Sequence, residues 1–163
     1  MKSKIKIELT KTDWLLEILG AVGLILSFVL LVFDYNDLPA IIPKHFGATG
    51  QPDGFGDKAI LWSFPIIGLI IYLGLTIGTR FPHLINYPFE ITPDNSERQY
   101  KNSVRMARVL KIAAVLLLLY LTYTTIQYGY GKMSGLGILF LPVVGVTLII
   151  IIGFFIYRGF KLR

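Results

Sequence analysis

The sequence predicts an all-α integral membrane protein, a bundle of four spanning helices, and three observations carry that prediction. Hydrophobic residues make up 54% of the 163 positions, far from the balance of a soluble domain. Four apolar runs are each long enough to cross a hydrocarbon core of roughly 30 Å, which takes about 20 residues as a helix. The cations flank these runs and form no basic face interleaved with aromatics, so the net charge of +6 does not point to nucleic acid. Lipid admits only helices or closed barrels, and continuous runs lack the alternation of barrel strands.

The first run covers residues 15–33. Lys2, Lys4, Lys6 and Lys11 precede it as in a secretion signal, yet it is long and ends in Phe33-Asp34-Tyr35 without a small-residue cleavage site, so an uncleaved anchor is expected. The second run covers 59–79, with Pro65 in its first two turns, where proline costs little. The third span is expected over 107–128. Asp94-Asn95-Ser96-Glu97 has the form of a capping box just after Pro93, so its helix should begin near Asp94 and run unbroken past Arg98, Lys101, Arg105 and Arg108 into the membrane. The fourth span covers 136–157, with Pro142 placed like Pro65. Gly74 with Gly78, and Gly20 with Gly23, have the small-residue spacing that lets helices approach closely. There is no cysteine, so packing alone must hold the bundle and thiol chemistry is excluded.

Lysine and arginine set the expected orientation. Four precede the first run, six lie between Arg80 and Lys111 and three follow the last run, against Lys44, Lys58 and Lys132 on the other side. Both termini and the 80–106 loop are therefore expected in the cytoplasm and the 34–58 loop outside. The cations before the third span read as a positive-inside flank, with binding of anionic headgroups as the alternative. Glu17 is the one acid within the apolar runs and lies near headgroup level beside Trp14. No ionisable group is placed to face the bundle interior, which argues against transport. Residues 4–9 and 87–92 alternate polar and apolar, and are expected to pair as a ribbon leaning on the third helix.

The 34–58 loop carries the candidate site. Pro39 and Pro43 hold its start extended. Gly47, Gly50, Gly54 and Gly56 permit positive φ, and Pro52-Asp53-Gly54 is a turn sequence. Phe46 and Phe55 give the loop something to pack, so it is expected to be ordered. Its 25 residues exceed what a connection needs, and such loops tend to be functional. His45, Asp53 and Lys58 are expected to form one hydrogen-bonded cluster capping the first two spans, with Asp53 also accepting backbone N–H groups in its turn. His45, Asp53 and Asp57 are of the types that ligate zinc but have no ligand spacing, so no metal or other cofactor is expected. Ser63 lies in the second span and His83 across the membrane, so no Ser-His-Asp arrangement forms and the protein reads as non-enzymatic.

Several of these residues carry a resemblance. Leu38-Pro39, Ile42-Pro43, His45-Phe46, Gly50, Pro52-Asp53, Gly56 and Lys58, set between a first and a second span, resemble the bacterial domain-of-unknown-function family numbered 1648. Glu97-Arg98-Gln99-Tyr100, at the opening of the third span, is similar to it too. That domain also stands at the N-terminus of SdpI-type immunity proteins, which protect a producing cell from its own secreted toxic peptide. The resemblance implies a multi-pass protein of the bacterial cytoplasmic (inner) membrane. It implies a ligand-binding or structural loop motif of Pro43, His45, Phe46, Gly50, Pro52, Asp53, Gly56 and Lys58, and it supplies no catalytic residue. The expected role is sensing or binding of an extracytoplasmic peptide or small ligand through the 34–58 loop. The expected partners are the lipid bilayer and such a peptide or another membrane protein. A transporter or a structural subunit of a membrane complex is the alternative.

Overall fold

The structure, a computed structural model, describes residues 5 and 7–163. It contains four long helices, α1 (Lys11–Asp34), α2 (Ser63–Gly78), α3 (Ser96–Gly129) and α4 (Phe140–Lys161). Between α1 and α2 stands an antiparallel hairpin of β1 (Ile41–Phe46) and β2 (Pro52–Asp57). Four helical segments, α2 being extended by the 3-10 turn Lys58–Trp62, are long and apolar enough to cross a membrane. The protein is mostly helical and multi-pass, with one β element that the all-α expectation did not contain.

Helix starts differ from their expected chemistry. A capping box does open α1: the Asp13 N–H donates to Thr10 Oγ1 at 3.3 Å and the Thr10 N–H to Asp13 Oδ2 at 2.9 Å. The box expected over Asp94 to Glu97 does not form. Instead the Thr92 N–H donates to Asn95 Oδ1 at 2.9 Å and the Asn95 N–H to Thr92 Oγ1 at 3.3 Å, while Glu97 accepts from Lys101. Pro93 explains the shift. Its fixed φ and missing N–H suit the first position of a turn, so the reciprocal bonds close around that turn and α3 begins after it. With 34 residues, α3 is about 50 Å long, longer than a bilayer core of roughly 30 Å, and it is unbroken from Ser96 to Gly129.

Side-chain contacts set the topology. Gly20 and Gly23 bring α1 against Ile112 and Val115 of α3, and further along the Ser27 and Thr122 hydroxyls meet at 3.3 Å, so α1 and α3 run parallel. Tyr72 against Gly20 and Gly68 against Leu24 place α2 antiparallel to α1. Side-chain amides of α3 tie down α4: Gln99 Nε2 donates to the Gly159 carbonyl and Asn102 Nδ2 to that of Phe155, both at 2.9 Å. Gly74 and Gly78 have open space beside them, because α2 turns Gly68 and Pro65 inward. Pro65 and Pro142 each fall in the first turn of their helix.

The expected ribbon does not form. Residues 87–92 contain no strand. Their aromatics are drawn onto the helices, Tyr87 against Tyr100 of α3 and Phe89 against Phe160 of α4. Of its proposed partner strand, residues 4 and 6 lie outside the described residues and Ile5 and residues 7–9 are not strand.

Candidate functional site

Each end of the bundle gathers polar side chains from distant parts of the chain. At one end, α1 runs into the 3-10 turn Tyr35–Asp37, and Leu38 and Ile42 then bury themselves against Leu31, Leu61 and Ile126. That cluster fixes the base of the hairpin. Ile41 stands opposite Asp57 and Pro43 opposite Phe55, with an irregularity around Lys44. The Lys44 stem crosses Gly54 and Gly56, where a Cβ on Gly56 would lie 3.0 Å from Lys44 Cδ. Close approach, not backbone freedom, therefore accounts for these two glycines. Of the four expected to use positive φ, only Gly50 does, at 77°. Its carbonyl accepts the Leu136 N–H at 2.8 Å, and a Cβ there would collide with the Gly137 carbonyl. The hairpin tip is thus seated on the α3–α4 connection.

Two further contacts close this end. The rings of Phe55 and Tyr128 lie 6.1 Å apart, and Tyr130 Oη donates to Asp34 Oδ1 at 2.7 Å. That bond to a carboxylate pushes the Tyr130 phenol up to about 12, since ionising it would set two anions side by side.

The expected three-residue cluster is divided. His45 Nδ1 and Asp53 Oδ1 are 2.5 Å apart, with side chains 70% and 52% exposed, so this pair is a surface feature. Lys58 is elsewhere: its Nζ donates to the carbonyls of Tyr35 at 2.8 Å, Leu38 at 3.1 Å and Asn36 at 3.5 Å. Those carbonyls end a helix and lack intrahelical donors, and one ammonium supplies three. Asp53 bonds His45 in place of the backbone N–H groups expected for it. It is Asp57 that accepts a backbone N–H, from Ala59 at 2.8 Å, where the chain turns into α2. Of the remaining motif residues, Pro43 and Gly50 are buried, while Phe46, Pro52 and Gly56 are half-buried. Among the described residues no three or more His, Asp or Glu side chains come together as metal ligands would.

The opposite end holds a site that the sequence reading missed. Glu17, expected near headgroup level with no ionisable group facing the interior, is turned toward α3. Its Oε1 accepts from Arg108 Nε at 3.0 Å, and its Oε2 accepts from Lys111 Nζ at 2.5 Å. Asp13 Oδ1 lies 3.2 Å from both Arg105 Nε and Arg108 Nη1. Lys111 is fully buried; it also donates to Thr76 Oγ1 at 2.8 Å and sits 4.3 Å above the Tyr72 ring. Tyr72 Oη in turn donates to the Glu17 carbonyl at 3.2 Å. Ionised residues of α1 and α3, with polar groups of α2, thus form one buried network. It borders a cavity of about 570 Å³ lined by Trp14, Glu17, Tyr72, Thr76 and Arg108. A signal for it does exist in the sequence. Acids at 13 and 17 and cations at 105, 108 and 111 are stripes of opposite sign at helical spacing, which two parallel helices can face together.

Residues 22–69, covering the second half of α1, the hairpin and the start of α2, match the family described as Domain of unknown function (DUF1648). An uncharacterized protein of Archaeoglobus fulgidus is 35% identical over 88 residues, which cover 49% of this chain and 48% of that protein. The chain thus spans about half the length of this curated relative. No solved structure matches. The match falls on the segment that builds the hairpin, as the loop residues anticipated, while the charged network lies outside it.

Proposed function

We propose that this is a non-enzymatic protein of a prokaryotic cytoplasmic membrane whose hairpin faces outward and binds an extracytoplasmic peptide or small ligand, in the manner of an immunity protein. The observation that carries the reading is the contrast within the hairpin. Its backbone is held by Lys58, by the Gly50–Leu136 bond and by the Leu38–Ile42 cluster. Its upper surface nevertheless leaves the His45–Asp53 pair and the side chains of Ile41 and Phe55 exposed. A rigid patch with a polar pair and two apolar side chains loses little entropy on binding. The non-enzymatic part is supported by the Ser63 hydroxyl, which donates to the Ile60 carbonyl at 2.6 Å within its own helical turn. The orientation rests on the cation count of 13 against 3, since cytoplasmic loops carry the excess of lysine and arginine.

A photo-crosslinking residue at Phe55 in intact cells tests this. Capture of one extracytoplasmic component, lost on His45→Ala, is the expected result; no capture, together with an active alkaline phosphatase fused to the C-terminus, overturns it. The buried Glu17–Lys111–Arg108 network beside its cavity favours a second reading, a transporter. Under that reading Glu17→Gln abolishes solute or ion flux in proteoliposomes while crosslinking at the hairpin is unchanged.

A further inference from the structure

Two cavities share one seam of the molecule, between α1, α3 and α4. The first, of about 290 Å³, lies where α1 and α3 begin and α4 ends; Arg98, Lys101, Arg105 and Arg158 line it, with Thr10 and no acid. The second, of about 610 Å³, is apolar, lined among others by Leu16, Val109, Ile112, Leu116, Leu148 and Ile151. Helical spacing puts both on the same faces. On α3 the positions 98, 101, 105, 109, 112 and 116 recur every three or four residues, and on α4 so do 148, 151, 158 and 162 with one turn omitted. From Arg105 to Leu116 is about 17 Å along the helix, close to the half-thickness of a hydrocarbon core of roughly 30 Å.

A cationic recess at a helix terminus, with an apolar groove further along the same helix faces, has the dimensions and charge of one lipid. We infer that this seam is a binding site for a membrane phospholipid with an anionic headgroup, its phosphate among Arg98, Arg105 and Arg158 and an acyl chain along α3 and α4. Two of the four cations already have carboxylates, Arg105 with Asp13 and Lys101 with Glu97. Arg98 bonds only the Asp94 carbonyl, and Arg158 has no partner among the described residues, so uncompensated positive charge is left for a ligand. A second copy of the chain, related by a two-fold axis along the membrane normal, would bring its own cations to the same level, which disfavours a dimer here. The site does not depend on what the hairpin binds.

The test is native mass spectrometry of the full detergent-solubilised chain with equal amounts of phosphatidylglycerol and phosphatidylcholine. Phosphatidylglycerol should be retained preferentially. Arg98→Ala and Arg158→Ala should each lower that preference about fivefold, the worth of one cation near a headgroup. Both arginines are exposed, so the variants should fold. Leu148→Trp, which fills the groove, should reduce retention of the lipid, whereas glycerol phosphate without chains should compete poorly. Equal retention of the two lipids, an unchanged preference in the double arginine variant, competition by glycerol phosphate as strong as by the lipid, or a crosslinked dimer through position 148 would each overturn the site.

Discussion

The two ends of the bundle hold their polar groups by opposite means. At the hairpin end backbone groups are the main partners: Lys58 satisfies orphan carbonyls, Gly50 joins two loops by main-chain contact, Tyr130 adds a side-chain bond to Asp34, and the ionisable pair His45–Asp53 stands in solvent. At the charged end side chains answer side chains, with Asp13 and Glu17 enclosed by Arg105, Arg108 and Lys111. A buried charge roughly breaks even only while its partner is present. Folding at the charged end therefore depends on each member of the network. At the hairpin end folding depends on the frame, and the exposed side chains are left available for binding.

The largest expected effect breaks the charged end. Glu17→Leu strands Lys111, which is fully buried, and should cost about 3–5 kcal/mol, the usual penalty for removing one partner of a buried pair. Denaturation of the detergent-solubilised protein measures it, and an unchanged midpoint would show that this end does not rest on pairing. Replacing Asp13, Glu17, Arg108 and Lys111 together by apolar residues should restore much of the loss, which separates a stranded charge from a lost contact. Next come the frame residues of the other end. Lys58→Met removes the donor for three carbonyls and should cost about 1.5–3 kcal/mol, as for hydrogen bonds from a charged group. Gly50→Ala forces a Cβ into the left-handed region and toward Gly137, worth about 1–3 kcal/mol of strain. For both, amide exchange over residues 105–111 should stay as in the parent, because the damage is confined to the hairpin end.

The four spans were legible because hydropathy and length act on a segment by itself. Pro93 and Asp94 marked the start of α3 to within two residues for the same reason. The hairpin was read as a compact loop: its strands contain Pro43, Pro52, Gly54 and Gly56, residue types of poor β propensity, and it is the packing of Leu38 and Ile42 into the bundle that makes them pair. The expected cluster was grouped wrongly, since nothing in the order His45, Asp53, Lys58 reveals that the lysine would turn back to the end of α1. The charged network went unread because each half looks ordinary alone. Arg105, Arg108 and Lys111 pass for a positive-inside flank until α1 is known to run parallel beside them and to face them with Asp13 and Glu17.

A pH titration sharpens the comparison at smaller amplitude. The Tyr130 phenol, held up to about 12 by Asp34, has a folded value above its ordinary one near 10. The stability this bond contributes is therefore fully present below about pH 10 and is lost as pH rises through about 12. Tyr130→Phe should remove that alkaline slope, with phenolate absorbance following the same group. A slope that persists in the variant would assign it to another tyrosine.

The smallest effect on folding is expected from the pair that looked most like a structural cluster in the sequence. Because His45 and Asp53 are 70% and 52% exposed, their attraction is screened by solvent and paid for partly in side-chain entropy, so an exposed pair is worth at most about 1 kcal/mol. Asp53→Ala and His45→Ala should each lower stability by less than that, and the double variant by no more than either alone if their contact is the whole contribution. Ligand capture through the hairpin should fall in all three. A loss of several kcal/mol in Asp53→Ala would mean that the frame at this end runs through side chains after all, and would erase the distinction between the two ends.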